Sequence, residues 1–376
     1  MNPFKYGSVV TGEYFFDRIN EIKKIKNDIK AGNNLILYAP RRYGKTSLIT
    51  KILFELENEG FTTIYLDFFN VISKNKFVEL YARAILNKNK SSWKKAIQTF
   101  RKFVNNIIPS VTFDETGSPS FKFTFQSGTE ENKMIEDIIN LPEKYANPKN
   151  PWIIVFDEFQ EINNFNGETF EKQIRAAIQF HKNVSYVFMG SKTHLLLNMF
   201  RDKSRAFYNI GKLVKLNKIS ENDVKQYLIE KFSINNIHLN NELAEHIIQL
   251  TENIPYYIQF LASEIWQKVV DGKKEINENI IDQSTNDILS NHSDYYLEVY
   301  DKLSLYQKNV LLALTQSGKQ VLSKDFAENN NLSSTSSTQR AIKRLVNLGI
   351  IDKEITEQYV FSDPFFKRFI QLRFTA

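Results

Sequence analysis

A chain of 376 residues is too long for one small core and suits two or three domains. With 42% apolar and 24% charged residues it has the composition of an ordinary globular protein. No apolar run approaches the ~20 residues of a membrane-spanning helix, and the N-terminus MNPFKYGSVV lacks the charged-then-apolar order of a signal peptide, so a cytoplasmic protein without membrane contact is expected. The absence of cysteine excludes disulfides, thiolate metal sites and cysteine nucleophiles, and His181, His194, His238, His246 and His292 show no ligand spacing. A net charge of +6 suits an anionic partner without specifying one.

Ile19, Ile22, Ile25 and Ile29 recur at helical spacing, and Gly32-Asn33-Asn34 predicts the stop. Leu35-Ile36-Leu37-Tyr38 reads as a strand buried on both faces. A helix is expected from Ser47 to Asn58 with Leu48, Ile52, Phe54 and Leu56 inward. Then come strand Thr62 to Asp67 and a helix through Phe77, Leu80, Tyr81 and Ile85. Residues 88–130 read as an insertion with a basic helix and a hairpin turning at Gly117-Ser118-Pro119. A helix from Met134 to Tyr145 precedes the most apolar strand, Trp152 to Phe156. A helix near 168–182 and strands Ser185 to Met189 and Lys212 to Leu216 follow. Alternating strands and helices predict an α/β fold, a doubly wound parallel sheet with its ligand at the strand C-termini.

Beyond Ser220 the pattern turns helical, with Ser220-Glu221-Asn222-Asp223 as a variant capping box and a long helix from Ile254 to Val270. Helices Leu303 to Thr315, Lys324 to Asn329 and Ser334 to Leu348, followed by β-type stretches at Ile350 to Ile355 and Tyr359 to Phe361, outline a winged helix. The expected division is therefore an α/β core over 1–217, an all-α lid domain over 218–298 and a C-terminal winged helix over 299–376.

The run Ala39-Pro40-Arg41-Arg42-Tyr43-Gly44-Lys45-Thr46-Ser47 supplies the P-loop pattern G-x-x-x-x-G-K-[ST] except its first glycine, which is Ala39. Backbone N–H groups of such a loop face phosphates at a helix N-terminus. Lys45 is expected on the β- and γ-phosphates of ATP and Thr46 on Mg²⁺. Asp157 can order the Mg²⁺ water shell, and Glu158 can orient or deprotonate an attacking water. Ser191, at the end of the next strand, suits either the γ-phosphate and water or a helix N-cap. Arg205, in the loop before the last strand, is a candidate arginine finger or a solvated basic residue; Arg201 shares that loop. Arg41 and Arg42 can face phosphate or pair with acids. On the third winged-helix helix, Arg340, Lys343 and Arg344 recur at helical spacing, as a DNA-reading helix requires. A protein-docking role is the alternative for that unit.

Together, Phe16-Asp17-Arg18 with Glu21, the P-loop with its paired arginines, Asp157-Glu158, Gly190-Ser191, Ile254-Pro255-Tyr256-Tyr257 and Phe361-Ser362-Asp363-Pro364 resemble the archaeal-type ATPase family. That family belongs to the STAND class of signalling ATPases and is related to the origin-recognition AAA+ proteins. The resemblance spans nearly the whole chain and implies an ATPase core, a helical lid and a winged helix. It implies that Phe16, Asp17 and Arg18 lie against the adenine and that the loop of Pro255 approaches the nucleotide. Two departures stand out: Asn253 replaces the usual glycine ahead of the lid proline, and Tyr208-Asn209 the usual Tyr-Gly-Arg. The expected function is a Mg²⁺-dependent ATPase switch coupled to double-stranded DNA or a protein partner, with a homo-oligomer compatible with it. The alternative is a nucleotide-stabilised scaffold with negligible turnover.

Overall fold

A computed structural model describes residues 1–16, 18–88, 93–104, 107–113, 119–125, 131–165, 167–272, 275–354 and 358–374. Asp17 and the turn expected at 117–118 lie outside the described residues. The chain forms two compact units, one of residues 18–39 and 45–217, the other of residues 1–17, 40–44 and 218–376.

The first unit begins with α1 (Ile19–Lys30), β1 (Leu35–Tyr38) and α2 (Lys45–Asn58), then β2 (Thr62–Asp67) and α3 (Lys74–Asn87). The insertion follows as α4 (Trp93–Phe103) and an antiparallel pair, β3 (Ile107–Phe113) with β4 (Pro119–Phe125). Next come α5 (Glu131–Tyr145), β5 (Trp152–Asp157), α6 (Gly167–Ile178), β6 (Val184–Gly190), α7 (Thr193–Arg201) and β7 (Lys212–Lys215). The five-stranded sheet has the order β2-β5-β6-β1-β7, and every neighbouring pair is parallel. β5 and β6 are buried along their whole length, as strands covered on both faces must be.

Registers Tyr38↔Gly190 and Asp67↔Asp157 bring the C-terminal ends of β1, β6, β2 and β5 to one edge. An aromatic cluster secures this end of the sheet: Phe159 lies 4.8 Å from Phe188 and 5.3 Å from both Phe207 and Phe68, ring centre to ring centre. All four rings are fully buried, and each offset or edge-on ring pair adds roughly 0.5–1.5 kcal/mol beyond its burial. The turn that carries the candidate base is therefore mounted on a rigid block. In α2, Leu48, Ile52 and Leu56 are buried as expected, but Phe54 is 65% exposed. Two residues from Ile52, it stands about 200° around the helix from the buried stripe.

The second unit contains α8 (Glu221–Ser233), α9 (Asn241–Leu250), α10 (Pro255–Val269), α11 (Glu278–Asn291) and α12 (Ser293–Asp301). It continues with α13 (Leu305–Gln316), α14 (Lys324–Asn329), α15 (Thr335–Asn347), the antiparallel pair β8 (Ile351–Lys353) and β9 (Tyr359–Phe361), and α16 (Pro364–Phe374). Ser220 caps α8 without a side-chain hydrogen bond. The capping box is instead at α13, where Ser304 and Gln307 bond reciprocally. The sequence pattern does not predict the terminal α16. Asp363 starts it, accepting from the N–H groups of Phe365 and Phe366 at 2.9 and 3.2 Å. Among the described residues no helix is long and apolar enough to cross a membrane.

Candidate nucleotide site

At the sheet edge the chain leaves β1 through Ala39 and re-enters helix at Lys45. Between them Arg42 and Gly44 adopt left-handed backbone, with φ of 68° and 83°. Nothing lies within 4 Å of where a Cβ on Gly44 would be, so open space faces the loop where a phosphate cradle needs it. Lys45, 6% exposed, donates from Nζ to the carbonyl of Ala39 at 2.8 Å, which fixes the ammonium against the end of β1. Pro40 and Ser47 flank the turn.

Thr46 Oγ1 donates to Asp157 Oδ2 at 3.2 Å, joining the start of α2 to the end of β5. Asp157 also accepts from Tyr65 and, through Oδ1, from the Glu158 N–H at 2.8 Å. Burial, with Asp157 beside it, pushes the Tyr65 phenol well above its usual range and keeps it a donor. Burial raises the nearby Asp67 carboxyl too, and the charges of Asp157, Glu158 and Glu161 add to the rise. The sequence pattern singles out neither Tyr65 nor Asp67. Tyr65 lies within β2 and Asp67 ends it, and the role of each depends on β5 being the neighbouring strand. A hydroxyl and carboxylates at one helix N-terminus match the hard-oxygen donor set that Mg²⁺ prefers.

Glu158 has left-handed backbone, φ 48°. Its Oε2 accepts from the Ser191 N–H at 3.2 Å and from Ser191 Oγ at 2.9 Å. The Ser191 hydroxyl is thus committed to Glu158 and does not cap α7, whose N-cap is Lys192.

A family model described as an ATPase domain predominantly from Archaea matches residues 15–261, and a probable winged helix domain matches residues 294–372. The chain belongs to this archaeal ATPase family. No curated protein is similar in sequence. Among solved structures, a Walker-type ATPase of Pyrococcus abyssi matches with a TM-score of 0.66 and 16% identity over 98% of this chain and 99% of that one. The Aeropyrum pernix ORC2 protein in its ADP form matches at 0.54 and 11% over 100% and 98%. The ORC1 protein of the same organism, in complex with DNA, matches at 0.52 and 12% over 96% and 93%. These likenesses show a shared fold.

The remaining candidates of this ATPase-family chain are distributed as follows. Arg18 is buried with left-handed backbone and bonds Glu21 at 3.2 Å and the Asn217 carbonyl at 2.9 Å. Phe16 stacks on Tyr227 at 3.9 Å. Pro255 opens α10 at its first turn, where a missing N–H costs nothing. Asn253 and Asn209 have φ of 54° and 55°. Both occupy the left-handed conformation that glycine adopts most readily and that asparagine tolerates. Arg205 is forked onto the fully buried Glu171, with Nε to Oε2 at 3.0 Å and Nη2 on Oε1, and this partner raises its pKa further. Tyr43 is buried, and burial pushes its phenol upward.

Arg41 and Arg42 line a cavity of about 290 Å³ together with Tyr296, Gly349 and Asp363. Arg42 pairs with Asp363. On α15, Thr338, Ala341, Ile342 and Leu345 are buried while Arg340, Lys343 and Arg344 are exposed on the opposite face.

Proposed function

We propose that the protein is a Mg²⁺-dependent, ATP-hydrolysing switch with three working parts: a core over 1–217, a helical lid over 218–298 and a winged helix over 299–376. The observation that carries this reading is the junction of Thr46 with Asp157 beside Lys45 and Glu158, at the one sheet edge where β1, β5 and β6 all end.

Lys45 binds the terminal phosphates, and Ala39 to Ser47 wrap them with backbone N–H groups. Thr46 and Asp157 would hold Mg²⁺, which would supply positive charge against the phosphates. Glu158 takes a proton from the water that attacks the γ-phosphorus, and the bond to the β–γ bridging oxygen breaks with its electron pair leaving on ADP. Ser191 keeps the Glu158 carboxylate in place. The winged helix then reports the nucleotide state, and the exposed cations of α15 favour the phosphates of double-stranded DNA as its target. The ORC1 relative, whose structure contains DNA, supports the same direction.

A second reading, an ATP-stabilised scaffold with negligible turnover, draws support from Arg205, whose pairing with Glu171 leaves it engaged within its own chain. Phosphate release by the purified chain, with and without duplex DNA, separates the two. Turnover that disappears in Glu158→Gln while ATP binding persists supports the switch, and an ATP-bound wild type with no release supports the scaffold.

A further inference from the structure

Gln160 follows the candidate base by two residues and is only 2% exposed. Its Nε2 donates to Glu158 Oε2 at 2.5 Å and reaches Glu161 Oε1 at 3.4 Å. Two carboxylates on one side identify that end of the amide as the nitrogen. The other end, Oε1, is buried and accepts no hydrogen bond among the described residues.

That orphaned carbonyl argues against a purely structural role. A methionine of similar length would fill the same volume without leaving a buried acceptor unpaired, so what the amide adds here is the donor it offers to Glu158 and Glu161. The surroundings are also shaped to admit it. A Cβ on Gly190 would overlap Gln160 Oε1 and stand 3.2 Å from its Cδ, so the end of β6 needs glycine for Gln160 to occupy this position.

All the hydrogen bonds received by the Glu158 side chain fall on one atom. Oε2 accepts from Gln160 Nε2, from the Ser191 N–H and from Ser191 Oγ, while Oε1 has no donor among the described residues. The left-handed backbone of Glu158 is strained for a residue with a Cβ, and such strain persists where neighbouring contacts over-determine it.

We infer that Gln160 is a positioning residue for ATP hydrolysis, with Gly190 as the space that admits it. Resting on the reading of Glu158 as base, the inference is that Gln160 and Ser191 together saturate Oε2, so that Oε1 is the oxygen which receives the proton of the attacking water. Gln160 bonds Glu158 and Glu161 and acts through Glu158. It acts by fixing which carboxylate oxygen is available and by placing neutral donors, instead of a third acid, between Glu158 and Glu161.

The test compares Glu158→Gln, Gln160→Met, Gln160→Glu and Gly190→Ala in the full chain, following phosphate release against ATP concentration and pH, with nucleotide affinity and unfolding measured alongside. Gln160→Met removes the donor at nearly constant shape and is expected to lower kcat at least tenfold, with KM and ATP affinity within twofold and the fold retained. Gly190→Ala, by displacing the amide, should show the same split. Gln160→Glu sets a carboxylate against Glu158 in place of the donor and should lower kcat at least as far as Gln160→Met while ATP affinity stays within twofold, a split that a merely structural substitution would not show. A Gln160→Met enzyme with wild-type kcat, while Glu158→Gln is inactive, would overturn this inference alone. Loss of ATP affinity in step with kcat would also overturn it, by making Gln160 structural. Wild-type turnover in Glu158→Gln would remove the underlying reading of the base and the inference with it.

Discussion

Arg42 of the P-loop is bonded to Asp363, the residue that starts the last helix, with Nη1 3.4 Å from Oδ2. Its guanidinium also lies 4.8 Å from the ring centres of both Tyr256 and Tyr257, and Tyr296 donates to the same Asp363 oxygen at 3.4 Å. Burial raises the Asp363 carboxyl above its usual range, and the Arg42 charge opposes that rise.

Removing Arg42 leaves a half-buried carboxylate without its cation, whereas an amide at 363 keeps the capping oxygen and carries no charge. Arg42→Ala is therefore expected to lower stability by about 1 kcal/mol, a modest figure because the arginine is partly exposed. Arg42→Ala with Asp363→Asn should recover most of that loss. The raised carboxyl makes the single variant lose more stability as pH rises through the folded pKa, where the group must ionise in place. Denaturant unfolding at several pH values checks this, and a double variant no more stable than Arg42→Ala would contradict it.

Lys45→Ala should weaken ATP binding at least tenfold, roughly the 1.5–3 kcal/mol of a hydrogen bond to a charged group. Thr46→Ala and Asp157→Asn should instead reduce the gain in affinity produced by added Mg²⁺. Calorimetric titration with and without Mg²⁺ distinguishes the two patterns. Equal Mg²⁺ dependence in all variants would remove Thr46 and Asp157 from the metal site.

Arg205→Ala leaves Glu171, which has no exposed surface, as an unpaired buried carboxylate. A drop of about 3 kcal/mol in unfolding free energy is expected, as for other broken buried pairs. Unchanged stability together with slower ATP turnover would support Arg205 as the arginine finger.

Burial lowers the His181 imidazole from 6.5 to about 4, and its ring nitrogens bond Tyr186 and Asn140 at 2.9 and 3.0 Å. Between those pH values the unfolded chain binds a proton that the folded chain does not. Stability should therefore fall as pH drops from 6.5 towards 4. His181→Gln should flatten that part of the curve in thermal unfolding across the window. An unchanged slope would place the titration elsewhere.

Reversing charge at Arg340 and Arg344 to glutamate should weaken duplex binding at all sequences and lower the slope of log K against log salt by about 0.9 for each phosphate no longer neutralised. Identical salt titrations for wild type and variant would direct attention to a protein partner for the winged helix.

The local sequence carries a good deal of this. Leu35 to Tyr38 and Trp152 to Phe156 are short continuous apolar runs, as suits strands covered on both faces, and the P-loop ending in Gly44-Lys45-Thr46 follows the first of them directly. These facts determine a P-loop fold because strand, loop and helix are consecutive and their geometry is local. The same pattern misplaces Phe54, because its hydrophobicity says nothing about which side of α2 meets the sheet. Tertiary structure alone decides the rest. Thr46 meets Asp157 across 111 residues, Arg42 meets Asp363 across 321, and Gln160 reaches Glu158 only because Gly190 of a neighbouring strand leaves room. Contacts of this kind depend on strand order and side-chain direction, and a one-dimensional pattern of polar and apolar residues contains neither.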